Sequence, residues 1–127
     1  MIDTSNVLMF KKNVESERID FHEGENITVR RGIKWSLKNG ADEISLGDTD
    51  LIKEKGYDGI IKNYIVTEPL KTKCMRLCDI PAEDLLKEHD PQCRDHEGLL
   101  KVMKDAYGDD FSEYEIVTVV TFVVKQR

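Results

Sequence analysis

The sequence lacks any apolar run long enough for a membrane-spanning helix, so we expect no membrane partner. Residues 1–6 have neither the basic start nor the long apolar core of a secretory signal. Cysteine is scarce: three residues, an odd number in a chain of 127, argue against a disulfide framework and for reduced thiols. Together these absences lead us to expect a cytoplasmic protein.

Internal repeats and low-complexity segments are also absent from the chain. Apolar residues make up 39% of the sequence and charged residues 35%, which is typical of a folded globular protein rather than a disordered one. A chain of this length can bury a core of its own. We therefore expect a single domain that spans residues 1–127.

Cations are in the minority, with 19 Lys and Arg against 25 Asp and Glu, which gives a formal net charge of −6. This balance opposes indiscriminate binding to nucleic acid, because phosphate contacts need cations in register. The cations nevertheless concentrate in residues 30–38 and 71–76, whereas acids crowd 15–25, 42–54 and 79–97. Such segregation predicts that a polyanion would bind at one place on the surface.

Residues 25–31 carry the clearest strand pattern. Ile27 and Val29 alternate with Thr28 and Arg30, which predicts a strand with one aliphatic face and one polar face. Three cations, one hydroxyl and the only tryptophan fall within residues 28–35. Here Arg and Lys would contact phosphate, and the indole would stack on a base. The candidate RNA- or ligand-binding residues are Thr28, Arg30, Arg31, Lys34, Trp35 and Arg76.

The same pattern also fits a strand without a binding role. In that interpretation one face is solvated and the charges of Arg30 and Arg31 are paired with nearby acids. Trp35, taken alone, is expected to lie in the core. Arg76 belongs to a second basic stretch, which would extend the site if its strand borders the first one. Otherwise Lys71 and Lys73 protect an ordinary strand edge.

Further strands are predicted over residues 7–10, 43–46, 59–66, 71–78 and 115–124. The last of these is largely apolar on both faces, so we expect it to be a central strand. Residues 14–24 fit either an edge strand or a loop. The mixed charges of residues 49–58 favour a surface loop with at most one helical turn.

Two helices are predicted before the last strand. Asp79 is a suitable N-cap with Pro81 in the first turn, and this short helix should end near His89. Asp95 caps a second helix, which carries one apolar stripe and ends at Gly108. Five or six short strands with two helices inserted before the last one predict an α+β fold, a small mixed or antiparallel β-barrel with helices at one end.

Three cysteines and two histidines raise the question of a zinc site: Cys74, Cys78, His89, Cys93 and His96. In an extended strand Cys74 and Cys78 lie about 13 Å apart, too far for one ion. His89, Cys93 and His96 could converge in a looped linker, but their spacing is unusual. No signature of a catalytic cysteine flanks Cys93. We therefore expect buried thiols and surface histidines, with no metal and no cofactor.

Four segments, taken in order, resemble the ASCH domain family. They are I-T-V-R-R-G-x-K-W at 27–35, C-D-I-P-x-E-D-L-x-x-E-H at 78–89, the helix end A-Y-G at 106–108 and the strand V-T-V-V-T-F at 117–122. The resemblance covers residues 7–125. It implies a fold similar to the PUA domain, a pseudo-barrel that binds RNA.

The chain departs from the ASCH hallmark, G-x-K-x-x-x-x-R, which lies in a cleft beside the barrel. Aligning Gly24 and Arg31 with the hallmark puts Asn26 at the lysine position, and aligning the T-x-R pair instead puts Glu25 there. Either way the lysine is missing. Its loss removes a cation that could activate a nucleophile or stabilise an oxyanion.

Some bacterial members of the family are amidohydrolases that deacetylate modified cytidine with a Lys, a Thr and a Glu. Only Thr28 carries over to this chain, and Asp90 or Asp95 could replace the Glu only with a shift. The resemblance therefore implies an RNA- or nucleotide-binding module. The first alternative is an amidohydrolase weakened by the missing lysine, acting on a nucleoside such as N4-acetylcytidine with Thr28 as its catalytic residue. A protein-interaction domain is the second alternative, because the acidic surface suits a basic partner.

Overall fold

The computed structural model describes residues 5–10 and 21–127, and the prediction for residues 14–20 lies outside this part of the chain. The described residues form a mixed α+β structure with six strands and three helices. The strands are β1 Val7–Phe10, β2 Gly24–Arg31, β3 Ser45–Asp48, β4 Tyr64–Val66, β5 Lys71–Arg76 and β6 Ile116–Gln126. The helices are α1 Thr49–Lys55, α2 Ala82–Leu85 and α3 His96–Tyr107.

The larger sheet is built around β6, which pairs antiparallel with β2, β4 and β5. Its alternate residues enter two different clusters of buried side chains. Val117 and Val119 pack with Leu99 and Met103 of α3, whereas Phe122 packs on the other side of the sheet. The central strand predicted from a run apolar on both faces is therefore confirmed.

The smaller sheet consists of β1 and β3, which pair in parallel. It packs onto the larger sheet through Leu8, Phe10 and Leu46, which share one core cluster with Val120 and Phe122 of β6. The α+β class is confirmed, but a closed barrel is not detected among the described strands, which form two separate sheets. Within residues 5–10 and 21–127, the outer edge of β3 forms an isolated bridge between Gly47 and Ile60 and pairs with no further strand, so the barrel remains a prediction.

Two helices lie between β5 and β6, as predicted. Asp95 begins α3 by accepting a hydrogen bond from the Gly98 amide at 2.6 Å, and Gly108 ends it with φ of 113°. Leu99 and Met103 are its buried residues. None of the described helices is long and apolar enough to cross a membrane, and α3, at 12 residues, is the longest of them.

The structure differs from the predicted elements at several places. The short helix predicted from an Asp79 cap to His89 is reduced to α2, Ala82–Leu85, which follows Pro81 and has no side-chain cap. The strand predicted over 71–78 ends at Arg76, and Leu77–Asp79 forms a 3-10 turn.

Thr49–Lys55 forms α1, capped by the Asp48 carboxylate, where mixed charges predicted a loop. The strand predicted over 59–66 is reduced to β4: Gly59 ends a 3-10 turn, and of residues 60–63 only Ile60 forms an isolated bridge, with Gly47. The strand predicted over 43–46 is shifted to Ser45–Asp48.

Candidate functional site

The register on β6 divides the predicted binding residues between the two faces of the larger sheet. Partners across antiparallel strands point to the same face. Arg30 and Cys74 both pair with Thr118, so they share a face, and Arg76 shares it because it lies two residues along β5. Arg31, the next residue in β2, points to the opposite face. We name these surfaces the Arg30 face and the Arg31 face.

Arg30 lies between β1 and the 3-10 turn Lys34–Lys38. Its Nη2 atom donates a hydrogen bond to the Met9 carbonyl at 2.7 Å. Its guanidinium carbon is 5.2 Å from the ring centre of Phe10 and 5.5 Å from that of Trp35. The Nε atom is buried and has no hydrogen-bond partner among the described residues. Two aromatic rings and one carbonyl therefore hold a guanidinium that still has an unsatisfied donor.

No ion pair of the described residues includes Arg30. Its pKa is lowered because burial desolvates the charged form, and the fields of Tyr107 and Glu88 act in the opposite direction. Arg30 is half-buried, with Nε out of contact with solvent, and a partly buried cation without a hydrogen-bonded counter-charge costs stability. The site therefore has the electrostatics of a place that would be stabilised by an anion.

Arg31 has a different environment. Its Nη2 atom is 3.1 Å from the Glu115 carboxylate, and its guanidinium carbon lies over the rings of Tyr107 and Phe111, at 5.5 and 5.8 Å. The Arg31 side chain is about half exposed, at 48%. Arg31 therefore fits the interpretation without a binding role, in which its charge is paired with a nearby acid. The structure does not bring it together with Arg30.

The other predicted residues are distributed around Arg30. Thr28 shares the Arg30 face but is buried, with 3% of its surface exposed. Trp35 is half-buried and packs against the core cluster of the smaller sheet. Lys34 and Arg76 are exposed. Arg76 is separated from Arg30 by two strand spacings and two residues along the strand, about 12 Å. The structure thus joins Arg30 with Trp35 and leaves two cations exposed in the flanking elements.

A buried acid–imidazole pair lies beside β2 and was not among the predicted site residues. Glu88 is 2% exposed, and its Oε1 atom is 2.5 Å from Nδ1 of His89. The His89 ring lies 4.5 Å from the ring of Phe10, centre to centre. The backbone of Ile27 donates to the Lys87 carbonyl and accepts from the His89 amide, which places the pair at the outer edge of β2. In the sequence, this pair is visible only as the Glu-His dipeptide that follows α2.

The two aspartates considered for the hydrolase interpretation cap local structure. Asp90 accepts a hydrogen bond from the Gln92 amide at 2.9 Å, and Asp95 caps α3. Both carboxylates therefore have a structural role.

The cysteines and histidines considered for zinc have separate neighbours. The Cys74 sulfur is 3.5 Å from the Thr118 hydroxyl, Cys93 is buried in the cluster beneath α3, and His96 Nε2 lies 2.7 Å from the Ile80 carbonyl. Across residues 5–10 and 21–127, no three or more His, Cys, Asp or Glu side chains are grouped to hold a metal ion.

A cavity of about 300 Å³ lies away from Arg30, beside β3 and β4. Its lining includes Ile44, Leu46, Tyr64, Val66 and Arg127. None of the predicted binding residues lines this cavity.

Comparisons of the chain with protein-family models, with curated proteins and with solved structures found no match. The ASCH resemblance therefore remains an expectation. Function has to be inferred from Arg30, the rings that hold it and the cations that flank it.

Proposed function

We propose that this chain is a PUA-like, ASCH-type module that binds RNA or a nucleotide on the Arg30 face, with a ligand phosphate at the Arg30 guanidinium. One observation carries the proposal: this guanidinium is held by the Met9 carbonyl, has a buried donor without a partner, and forms no ion pair with a described carboxylate. An anion would supply both the missing acceptor and the missing charge. Phosphate suits the position because the planar fork of a guanidinium matches an oxyanion.

The residues around Arg30 favour a nucleotide as the ligand over a simple inorganic anion. Trp35 is half-buried with Arg30 over its ring, and a base would stack on the part of the indole that Arg30 does not cover. The Thr72 amide donates to the Asn39 side chain at 2.9 Å and so fixes the end of the turn that carries Trp35 against β5. Lys34 and Arg76 are exposed and would contact further phosphates. Thr28 is buried beside Arg30 and would contact only a ligand group that enters next to it.

The experiment compares two neighbouring arginines in one strand. Binding of a short single-stranded RNA is measured by calorimetry over a series of salt concentrations for the wild type, Arg30→Ala and Arg31→Ala. We expect Arg30→Ala to weaken binding about tenfold and to reduce the salt slope by about one. Arg31→Ala should change affinity less than about twofold, because its charge is already paired. Equal effects of the two variants, or unchanged binding in both, would overturn the proposal.

A second pair of variants tests the face rather than the residue. Lys34→Glu with Arg76→Glu reverses two charges that flank Arg30. Lys71→Glu with Lys73→Glu reverses two charges on the Arg31 face, as the register of β5 places them. We expect only the first variant to lose RNA binding. A protein partner retained after RNase treatment, in the absence of RNA binding, would favour the protein-interaction alternative instead.

The buried Glu88–His89 pair favours a second candidate, a hydrolase acting on a modified nucleoside. An imidazole oriented by a carboxylate is the usual form of a general base, and this pair bonds to Ile27, next to Thr28. Incubation with N4-acetylcytidine followed by chromatography tests it. Release of cytidine that is lost in both Thr28→Ala and Glu88→Gln would support this candidate, and no release by the wild type would refute it.

A further inference from the structure

Exposed apolar side chains are unevenly distributed over the surface. Within residues 5–10 and 21–127, eight large aliphatic or tyrosine side chains are exposed, and four of them lie at one end of the larger sheet. These four, each between 41% and 64% exposed, are Ile33, Tyr107, Tyr114 and Ile116. Single exposed apolar residues are usual on a protein surface, whereas a cluster of them indicates an interaction site.

The two isoleucines meet where β2 and β5 end and β6 begins. Ile116 pairs with Arg76, the last residue of β5. The Ile116 carbonyl also accepts a hydrogen bond from the Gly32 amide at 3.0 Å. Ile33 is the next residue after Gly32, so it lies at the same end of the sheet as Ile116.

The two tyrosines are connected to this end through charged neighbours. The Arg31 guanidinium carbon lies 5.5 Å from the centre of the Tyr107 ring. The Nη2 atom of Arg31 is 3.1 Å from the carboxylate of Glu115, the residue between Tyr114 and Ile116. We name the following six residues the Ile116 patch: Ile33, Arg76, Tyr107, Glu113, Tyr114 and Ile116.

The Ile116 patch carries charges of both signs that are not paired within the chain. Among the described residues, neither Arg76 nor Glu113 forms an ion pair. Glu113 raises the pKa of Tyr114 through a side-chain hydrogen bond and through its charge, whereas Arg76 acts in the opposite direction, so the three groups lie close together. A carboxylate here opposes contact with RNA or with an anionic lipid surface. A surface that holds apolar, cationic and anionic groups is instead complementary to a copy of itself.

We propose that the Ile116 patch is the contact surface of a homodimer, in which a two-fold axis places the patch of one copy against the patch of a second copy. Each contact in such an interface is made twice. Arg76 of one copy pairs with Glu113 of the other, and the isoleucines and tyrosines of both copies leave the solvent together. Tyrosine and arginine are the residue types enriched among those that dominate interface energies. The inference does not depend on the function proposed above.

Sedimentation equilibrium of the full chain measures the dimer, with a reductant present because Cys74 is exposed. We expect the apparent mass to rise from 14.6 kDa toward twice this value as the protein concentration increases from about 1 to about 500 μM. Ile116→Asp places an unpaired charge in the interface and should weaken dimerisation at least about tenfold. A monomer at every concentration would overturn the inference.

Leu86→Asp is the matched control for Ile116→Asp. Leu86 is 63% exposed and lies next to Lys87, which pairs with Glu25 near the start of β2, at the opposite end of that strand from the Ile116 patch. This variant should dimerise like the wild type, and circular dichroism checks that both variants are folded. Equal dimerisation of the wild type and Ile116→Asp would overturn the inference.

A charge exchange tests which residues meet across the two-fold axis. Arg76→Glu and Glu113→Arg each place like charges opposite one another in a dimer of identical chains, so each variant alone should dimerise more weakly than the wild type. An equimolar mixture of the two variants restores both opposite-charge pairs in a heterodimer and should associate within about threefold of the wild-type affinity. A mixture that associates no better than the separate variants would overturn the inference. No RNA is used in these measurements, so their failure would leave the proposed function standing.

Discussion

Arg30 and Arg31 are neighbours in β2, yet they point to opposite faces of the same sheet. Each guanidinium carbon lies between 5.2 and 5.8 Å from the centres of two aromatic rings. Only Arg31 adds a carboxylate, that of Glu115 at 3.1 Å. The two residues therefore do not differ in their stacking on aromatic rings. They differ in whether a counter-charge is present.

The difference has an energetic meaning. A half-exposed ion pair such as Arg31–Glu115 contributes about 0–1 kcal/mol to the free energy of unfolding. Arg30 is half-buried and its Nε atom is out of contact with solvent. A partly buried guanidinium without a counter-charge lowers that free energy, because the Met9 carbonyl replaces only part of the hydration that is lost. Arg30 thus has the character of a binding residue that weakens the unliganded fold, and Arg31 that of a structural one.

The largest effect is expected from removing the aromatic ring that supports each arginine. Phe10 is 2% exposed and contacts Phe21, Phe122 and His89, so Phe10→Ala should lower the free energy of unfolding by about 3–5 kcal/mol. Tyr107 is 41% exposed, and Tyr107→Ala should cost about 1 kcal/mol. Urea denaturation monitored by circular dichroism measures both. Similar losses in the two variants would contradict the view that the ring beside Arg30 belongs to the core and the ring beside Arg31 to the surface.

The next effect concerns the arginines themselves and differs in sign between them. Burial lowers the folded-state pKa of Arg30, so its penalty is fully present below that pKa, including at neutral pH, and fades only as pH rises toward the unfolded value. Arg30→Met removes the penalty at the cost of one hydrogen bond to the Met9 carbonyl and of the charge's contacts with two aromatic rings, and should raise the free energy of unfolding by up to about 1 kcal/mol. Arg31→Met should lower it by up to about 1 kcal/mol.

The measurement for this pair is urea denaturation at neutral pH without ligand, with matched slopes in all three proteins. A large destabilisation in Arg30→Met would show that its contacts with the Met9 carbonyl and the two rings outweigh the desolvation of its charge. In that case Arg30 would be a structural residue, like its neighbour.

The elements of the fold that the sequence predicts correctly are those marked by hydrophobic periodicity or by helix caps. The run from Glu115 to Val124 predicted a central strand, and Asp95 with Gly108 delimited α3 within one residue. The period-2 rule that predicted β2 also implies that Arg30 and Arg31 lie on opposite faces, although both were grouped in one candidate site. α1 could not be predicted from an apolar stripe, because Ile52 is its only buried residue.

The part that the sequence could not predict consists of contacts between distant residues. Arg30 meets the Met9 carbonyl across 21 positions of the chain, and His89 reaches the Ile27 carbonyl across 62. Local patterns carry no information about such pairs, because they arise only when β1 and the segment after α2 pack beside β2. The absence of an ion pair at Arg30 is likewise a property of the packed structure, in a chain where acids outnumber cations.

The smallest effect is expected for the coupling between Arg31 and Glu115, which measures how much the counter-charge of Arg31 stabilises the fold. A double-mutant cycle with Arg31→Ala, Glu115→Ala and the double variant should give a coupling energy of about 0.5 kcal/mol, because both side chains are partly exposed, at 48% and 32%. The coupling should shrink as salt is raised, since exposed charges are screened. Denaturation at low and high salt measures it. A coupling above about 2 kcal/mol, insensitive to salt, would mean that the Arg31 pair is effectively buried, and the contrast with Arg30 would then lie in pairing alone and not in exposure.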